Sequence, residues 1–95
     1  MNEKEVISAS VIRRLVEERI HQDKRWGGRE HDGIHSFDDW ADIIAHYFDL
    51  AFVGALDSNY VIETPTPQQM IAICKMAALC IVCMEIYGCP KREDV

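Results

Sequence analysis

A chain of 95 residues with 48% hydrophobic side chains has room for one domain, near the size at which a single core gives modest stability and self-association is a common remedy. Its formal net charge of -6 argues against a non-specific grip on DNA or RNA, because such binding works by neutralising many phosphates with Lys and Arg. A single bound nucleotide needs only a local basic pocket and stays open.

The N-terminal stretch MNEKEVISAS carries charges where an export signal has its apolar centre, so a cytoplasmic location is expected. In that reducing setting Cys74, Cys80, Cys83 and Cys89 read as thiols of the core. Cys80 and Cys83 do form a C-x-x-C, but it lies inside an apolar helical run with no His or second pair to complete a metal knuckle.

Residues 4–21 place Ile12, Leu15, Val16 and Ile20 at helical spacing, with Arg13, Arg14, Glu17 and Glu18 on the other side, and so predict an amphipathic first helix. From Gln22 the period stops, and QDKRWGGREHDGIHS, with glycines at 27, 28 and 33, reads as a polar loop over 22–36. Ser36 opens a capping pattern with Asp39, and Asp38 and Asp39 favour the positive end of a helix. The second helix is therefore predicted over 37–56, with Trp40, Ile43, Ile44, Tyr47, Phe48 and Ala51 forming one buried face. Asp57, Ser58 and Asn59 form a turn that leads through an extended link to Thr66, an N-cap followed by Pro67 at the first helical position and Gln69 three residues on.

The third helix, 67–87, dominates the chain. Between Met70 and Tyr87 its only charges are Lys75 and Glu85, so it is apolar round most of its circumference and needs cover on nearly every side. Gly88 and Pro90 end it. Two short neighbours supply too little cover, and the fold expected is an all-α, three-helix antiparallel domain assembled into a homo-oligomeric helical bundle. A membrane span is not expected, because Lys75 interrupts the segment and the uncharged run from Met76 to Met84 falls well short of the ~20 residues a span requires. Each of the two interrupting charges needs a partner: Glu18 or the acids of helix two for Lys75, a loop base for Glu85.

Three constellations could carry chemistry. The loop gathers His21, Lys24, Arg25, Arg29, His31 and His35, six of the chain's fourteen Lys, Arg and His, beside Trp26, Gly27 and Gly28. An indole can stack on a base, Arg and Lys can hold phosphate, and glycines let backbone N–H groups come close, a combination suited to a nucleotide. The plainer alternative is that Trp26 fastens the loop to the core while Asp23, Glu30 and Asp32 pair locally with the bases. On helix two, Asp39, Asp42, His46 and Asp49 make a row of oxygen and imidazole donors for a divalent ion. That row points roughly 150° away from the apolar face, so a metal there needs acids from a neighbouring chain, and a solvated face is the alternative. His31, Asp32 and His35 form an H-D-x-x-H that could ligate zinc or act as acid and base, against simple hydrogen bonding at the start of the helix.

The order Glu18-Arg19-x-x-Gln22-Asp23-x-x-Trp26-Gly27, then His31-Asp32-x-x-His35-Ser36 and Trp40 to Tyr47, resembles a group of small phage and prophage MazG-like proteins related to nucleoside triphosphate pyrophosphohydrolases. The Lys75-Met76-Ala77-Ala78-Leu79 to Glu85 stretch is similar to the end of those proteins, and the likeness covers about 70 residues. The resemblance implies an all-helical oligomer that handles nucleotides, with Mg²⁺ where triphosphates are cleaved to monophosphate and pyrophosphate. The enzymatic pattern is E-E-x-x-E on one helix and E-x-x-D on the next. Here the nearest equivalents are Asp39-x-x-Asp42 and the isolated Glu85, and the second acidic pair is missing.

Two readings follow. In the first, a phage-type protein captures a nucleotide or a cyclic nucleotide-type signal between subunits without turning it over. Trp26 stacks, Lys24, Arg25 and Arg29 hold phosphate, His31 and His35 read polar groups, and Gly27 and Gly28 let the backbone approach. In the second, a magnesium-dependent pyrophosphohydrolase uses Asp39, Asp42 and His46 with Glu18 or Glu85. A structural oligomer with no small ligand is the remaining alternative.

Overall fold

The computed structural model describes residues 6–26, 34–52 and 64–94. Among these residues every regular element is helical: α1 (Ala9–Trp26), α2 (Phe37–Ala51), α3 (Pro67–Tyr87) and a closing 3-10 turn (Arg92–Asp94). The predicted spans of α3 and the start of α2 hold. Those of α1 and the end of α2 do not.

Capping chemistry sets the boundaries. Ser36 accepts the Asp39 N–H through its hydroxyl at 3.2 Å while the Asp39 carboxylate accepts the Ser36 N–H at 2.9 Å, a reciprocal box that starts α2. Thr66 and Gln69 repeat the arrangement at the start of α3, at 3.1 and 2.7 Å, with Pro67 supplying a preset φ. α3 stops at Gly88, whose φ of 86° is open to glycine and strained for other residues, and whose N–H returns to the Met84 carbonyl. α2 ends at Ala51, five residues short of the expected position; Phe52 donates its N–H to the Phe48 carbonyl and leaves helical geometry.

α1 is displaced as a whole, running over 9–26 where 4–21 is expected. Ser8 closes its N-terminus, with the hydroxyl accepting the Val11 N–H at 3.3 Å and the carbonyl accepting the Ile12 N–H at 3.1 Å. At the other end the helix takes in Gln22 to Trp26, because an inward row persists there through Gln22 and Trp26, four residues apart, as polar and aromatic side chains in place of aliphatic ones. Arg19 reinforces these turns by donating to Gln22 Oε1 and Asp23 Oδ1, both at 3.0 Å.

α3 is the element on which the others pack: its main contacts are with both α1 and α2, which touch each other little. α2 lies antiparallel to it, since Phe37 meets Tyr87 at one end (5.3 Å between ring centroids) and Tyr47 meets Lys75 farther along. α1 instead crosses α3 at a wide angle. The Cys74 thiol reaches the Arg14 carbonyl and the Gln22 amide reaches the Lys75 carbonyl, so about 12 Å of α1 axis spans neighbouring residues of α3.

The core is small. Trp40, Leu79 and Val82 are its fully buried centre, with Trp26, Ile43, Ile44, Tyr47 and Cys83 packed round them. Each fully buried side chain of this size contributes about 1.5–3 kcal/mol. Phe48, expected on the buried face of α2, is 41% exposed and stacks at a tilt on Phe52 instead. The two ends of α3 stay open in the single chain, Met70 and Ile71 near the start and Met84, Ile86 and Tyr87 near the finish all being exposed. All four cysteines are free; Cys74 and Cys83 are half-buried, but Cys80 and Cys89 are exposed and are not core thiols. By length and composition alone α3 is apolar enough to cross a membrane, a test that buried helices of water-soluble proteins also meet.

Candidate functional site

The last two turns of α1, Tyr47 on α2 and Lys75 on α3 enclose a cleft of about 250 Å³. Glu18, His21, Gln22, Arg25 and Trp26 come from α1, so one helix supplies most of the polar wall. The volume lies just below the usual range of small-ligand pockets.

Gln22 organises this wall. It is 2% exposed, and a buried amide is costly unless both of its ends are bonded. Its oxygen accepts from Arg19, and its nitrogen donates to Glu18 Oε1 at 3.4 Å and to the Lys75 carbonyl at 3.5 Å. The last two bonds are long, so they orient the amide more than they stabilise it. The result joins α1 to α3 at the cleft and holds Glu18 beside it.

Lys75 is the charge that the sequence leaves isolated in an apolar helix. Its ammonium lies 5.8 Å from the centroid of the Tyr47 ring, within cation–π range, and Glu18 shares the cleft without an ion pair to Lys75 within 4 Å. The carboxylate partner expected for Lys75 is therefore replaced by an aromatic face. Glu85, for which a loop base was the expected partner, is exposed to solvent, and the loop bases Arg29 and His31 lie outside the described residues.

Of the residues singled out from sequence, the structure brings Glu18, His21, Arg25, Trp26 and Lys75 into the cleft. Lys24 is exposed and stands outside it, and Lys24, Arg25 and Trp26 belong to the last turn of a helix, not to a loop. His35 sits at the start of α2. Its ring meets Trp40 edge-on at 5.0 Å and its Nδ1 lies 3.7 Å from the Asp39 carboxylate. Gly27, Gly28, Arg29, His31 and Asp32 lie outside the described residues, as do Glu30 and the predicted turn at 57–59.

Asp39, Asp42, His46 and Asp49 are all exposed on the outer side of α2, the direction that the helical angles predict. Among the described residues no three His, Cys, Asp or Glu side chains converge as metal donors. Asp39 is engaged in the capping box, and its carboxyl is held below the ordinary carboxylate range first by the Ser36 backbone N–H, with the Ser36 hydroxyl and His35 adding to the effect. Burial pushes the Cys74 and Cys83 thiols up, Glu18 adding to the effect at Cys74 and Cys80 at Cys83.

Sequence reasoning missed Gln22 and Tyr47 as walls of the site. The i, i+4 relation of Gln22 to Trp26 was the available signal for the first, and the lone Lys75 for the second, since a charge in a greasy helix must meet either an anion or a π face. No protein-family model, no curated protein and no solved structure matches the chain.

Proposed function

We propose that this chain is a phage-type small protein that binds a nucleotide or a nucleotide-derived signalling molecule and holds it without turning it over. The observation that carries the reading is the cleft, where an indole, a phenol, a guanidinium and an ammonium converge from three helices round one small volume. Trp26 offers a stacking face, while Arg25 and Lys75 offer charge-assisted hydrogen bonds to phosphate. Gln22 and Glu18 are placed to read amino and hydroxyl groups. A ligand larger than the cleft projects from its mouth, where a neighbouring copy completes the enclosure. Capture of this kind, in the cytoplasm of a host cell, would deplete a signal and so blunt a defence that depends on it.

Binding is preferred over hydrolysis because, among the described residues, Glu18 is the carboxylate that lines the cleft, whereas metal-assisted phosphate chemistry uses several to fix Mg²⁺ and orient water. The acids of α2 stand on another side of that helix. Melting curves with mononucleotides and cyclic dinucleotides, with and without Mg²⁺, test the reading. A ligand at 100 times its Kd raises stability by about 2.7 kcal/mol and the melting point with it. Pyrophosphate released from a triphosphate would transfer the site to the pyrophosphohydrolase class. The absence of any shift at millimolar nucleotide would leave a structural oligomer.

A further inference from the structure

Sulfur gathers near the C-terminal end of α3. Cys80, Cys83 and Met84 stand at i, i+3 and i+4, the most compact triangle that a helix surface offers, with about 5–6 Å between Cβ atoms on successive turns. Cys80 and Met84 are exposed, and Cys83 is half-buried against the core. Side chains on a helix lean toward its N-terminus, so the arms of Cys83 and Met84 slope back over the turn that carries Cys80. The sequence reads this C-x-x-C as core thiols. The exposure of Cys80 opens the pair to solvent instead.

We propose that these three sulfurs bind copper(I), with the thiolates of Cys80 and Cys83 and the thioether of Met84 as its ligands. Soft sulfur donors select a soft ion such as Cu(I), whereas Mg²⁺ and Ca²⁺ take oxygen. Metal–sulfur bonds of about 2.3 Å set the sulfurs of a planar three-coordinate ion about 4 Å apart. Converging arms on Cβ atoms about 5–6 Å apart meet that spacing, and the three torsions of methionine let its sulfur adjust. Zinc suits the site less, because a closed zinc site takes four N or S donors, and among the described residues no third His, Cys, Asp or Glu joins the two thiols. A disulfide suits it less as well, since it draws the Cβ atoms to about 3.5–4.5 Å, closer than successive helical turns hold them.

The other two cysteines stand apart. The Cys74 thiol donates to the Arg14 carbonyl at 3.8 Å on another side of α3, and Cys89 lies beyond the Gly88 cap. Burial, and after it Cys80, push the Cys83 thiol up, which places the two sulfurs within electrostatic reach of each other. Two bare thiolates there repel, and a cation between them supplies the charge that lets both ionise. Binding forms two copper–thiolate bonds and one copper–thioether bond, releases both thiol protons to water and leaves the copper as Cu(I), so no oxidant or reductant enters. None of the three residues lines the cleft, and the assignment does not rest on the nucleotide reading.

Anaerobic titration with Cu(I), buffered by the chromophoric chelator bathocuproine disulfonate, is the test. The wild type is expected to withdraw one copper per chain from the chelator and to gain thiolate-to-metal absorption in the ultraviolet. Cys80→Ser changes an exposed position, and its helix content by circular dichroism should match the wild type. It should weaken binding by about 100-fold or more, since loss of even an outer partner of a metal ligand costs about 10- to 100-fold. Met84→Leu should weaken binding by a smaller factor, and a Cys74→Ser/Cys89→Ser double variant should bind as the wild type does. A wild type that takes no copper from the chelator, or an affinity that depends on Cys74 and Cys89 and not on Cys80, overturns the proposal. A Met84→Leu protein that binds as tightly as the wild type overturns the three-sulfur site. Alkylation of the wild type, mapped by mass spectrometry, gives an answer that needs no variant. One equivalent of Cu(I) should shield Cys80 and Cys83 from iodoacetamide while Cys89 stays reactive, and a Cys80 that stays reactive overturns the assignment.

Discussion

Replacing Lys75 with methionine separates what the cleft does for the fold from what it does for a ligand. Lys75 is half-buried, and its ammonium lies 5.8 Å from the centroid of the Tyr47 ring, a contact worth about 0.5–1 kcal/mol in such a setting. Methionine keeps the length of the side chain, fills irregular space well and relieves the cost of holding a charge partly out of water. These contributions nearly cancel, so Lys75→Met should change stability by no more than about 1 kcal/mol, a shift in melting point within roughly 4–8 °C for a domain of this size. The effect on an anionic ligand has no such offset. Loss of one charge-assisted hydrogen bond removes about 1.5–3 kcal/mol, or roughly 10- to 150-fold in Kd. Differential scanning fluorimetry measures the first quantity, and calorimetric titration with whichever nucleotide gives the largest melting shift measures the second. A fall in melting point far beyond that range, combined with an unchanged Kd, would refute the assignment, because Lys75 would then serve the packing of α3 and not the site.

Two further outcomes test the fold itself. Leu79 is completely buried at the centre of the small core, and Leu79→Ala should cost about 2–5 kcal/mol, a large part of the ~5–15 kcal/mol that a domain commands, so its thermal unfolding by circular dichroism should begin tens of degrees lower or lose its cooperativity. Asp39 has a folded-state pKa below its ordinary value of 3.8, so its contribution is complete above that value and is lost as pH falls through it into the lowered range. The stability difference between wild type and Asp39→Asn should therefore be constant near neutrality and shrink below about pH 4. Urea melts between pH 6 and 3 that gave a constant difference would show that the capping box does not act through the ionised carboxylate.

The parts of the fold that were legible in the sequence are those decided locally. Ser36 with Asp39 and Thr66 with Gln69 announce two helix starts within four residues each, and Gly88 announces a stop; all three are found where they were expected. Tertiary choices were not legible in the same way. Ile12, Val16 and Ile20 have the spacing of a core face, yet the crossing of α1 over α3 presents Leu15, Gln22 and Trp26 inward, and spacing cannot distinguish two stripes about 100° apart when one of them contains a glutamine. The same error cut α1 short at 21 and turned its last turn into a loop. Within the site, Trp26 and Arg25 were found by residue type, whereas Tyr47 was read as core and Gln22 as the end of a pattern. The role of each depends on the meeting of three helices, which a residue's neighbours in the chain do not encode.

The arrangement in which α3 touches both other helices while they scarcely touch each other has a consequence for how the molecule responds to change. Among the described residues the two outer helices communicate chiefly through the central one, so a disturbance in α1 reaches α2 mainly by way of α3. The cleft is where that circuit can be closed, since its walls come from all three. A molecule seated there would tie the two outer helices directly and so couple all three.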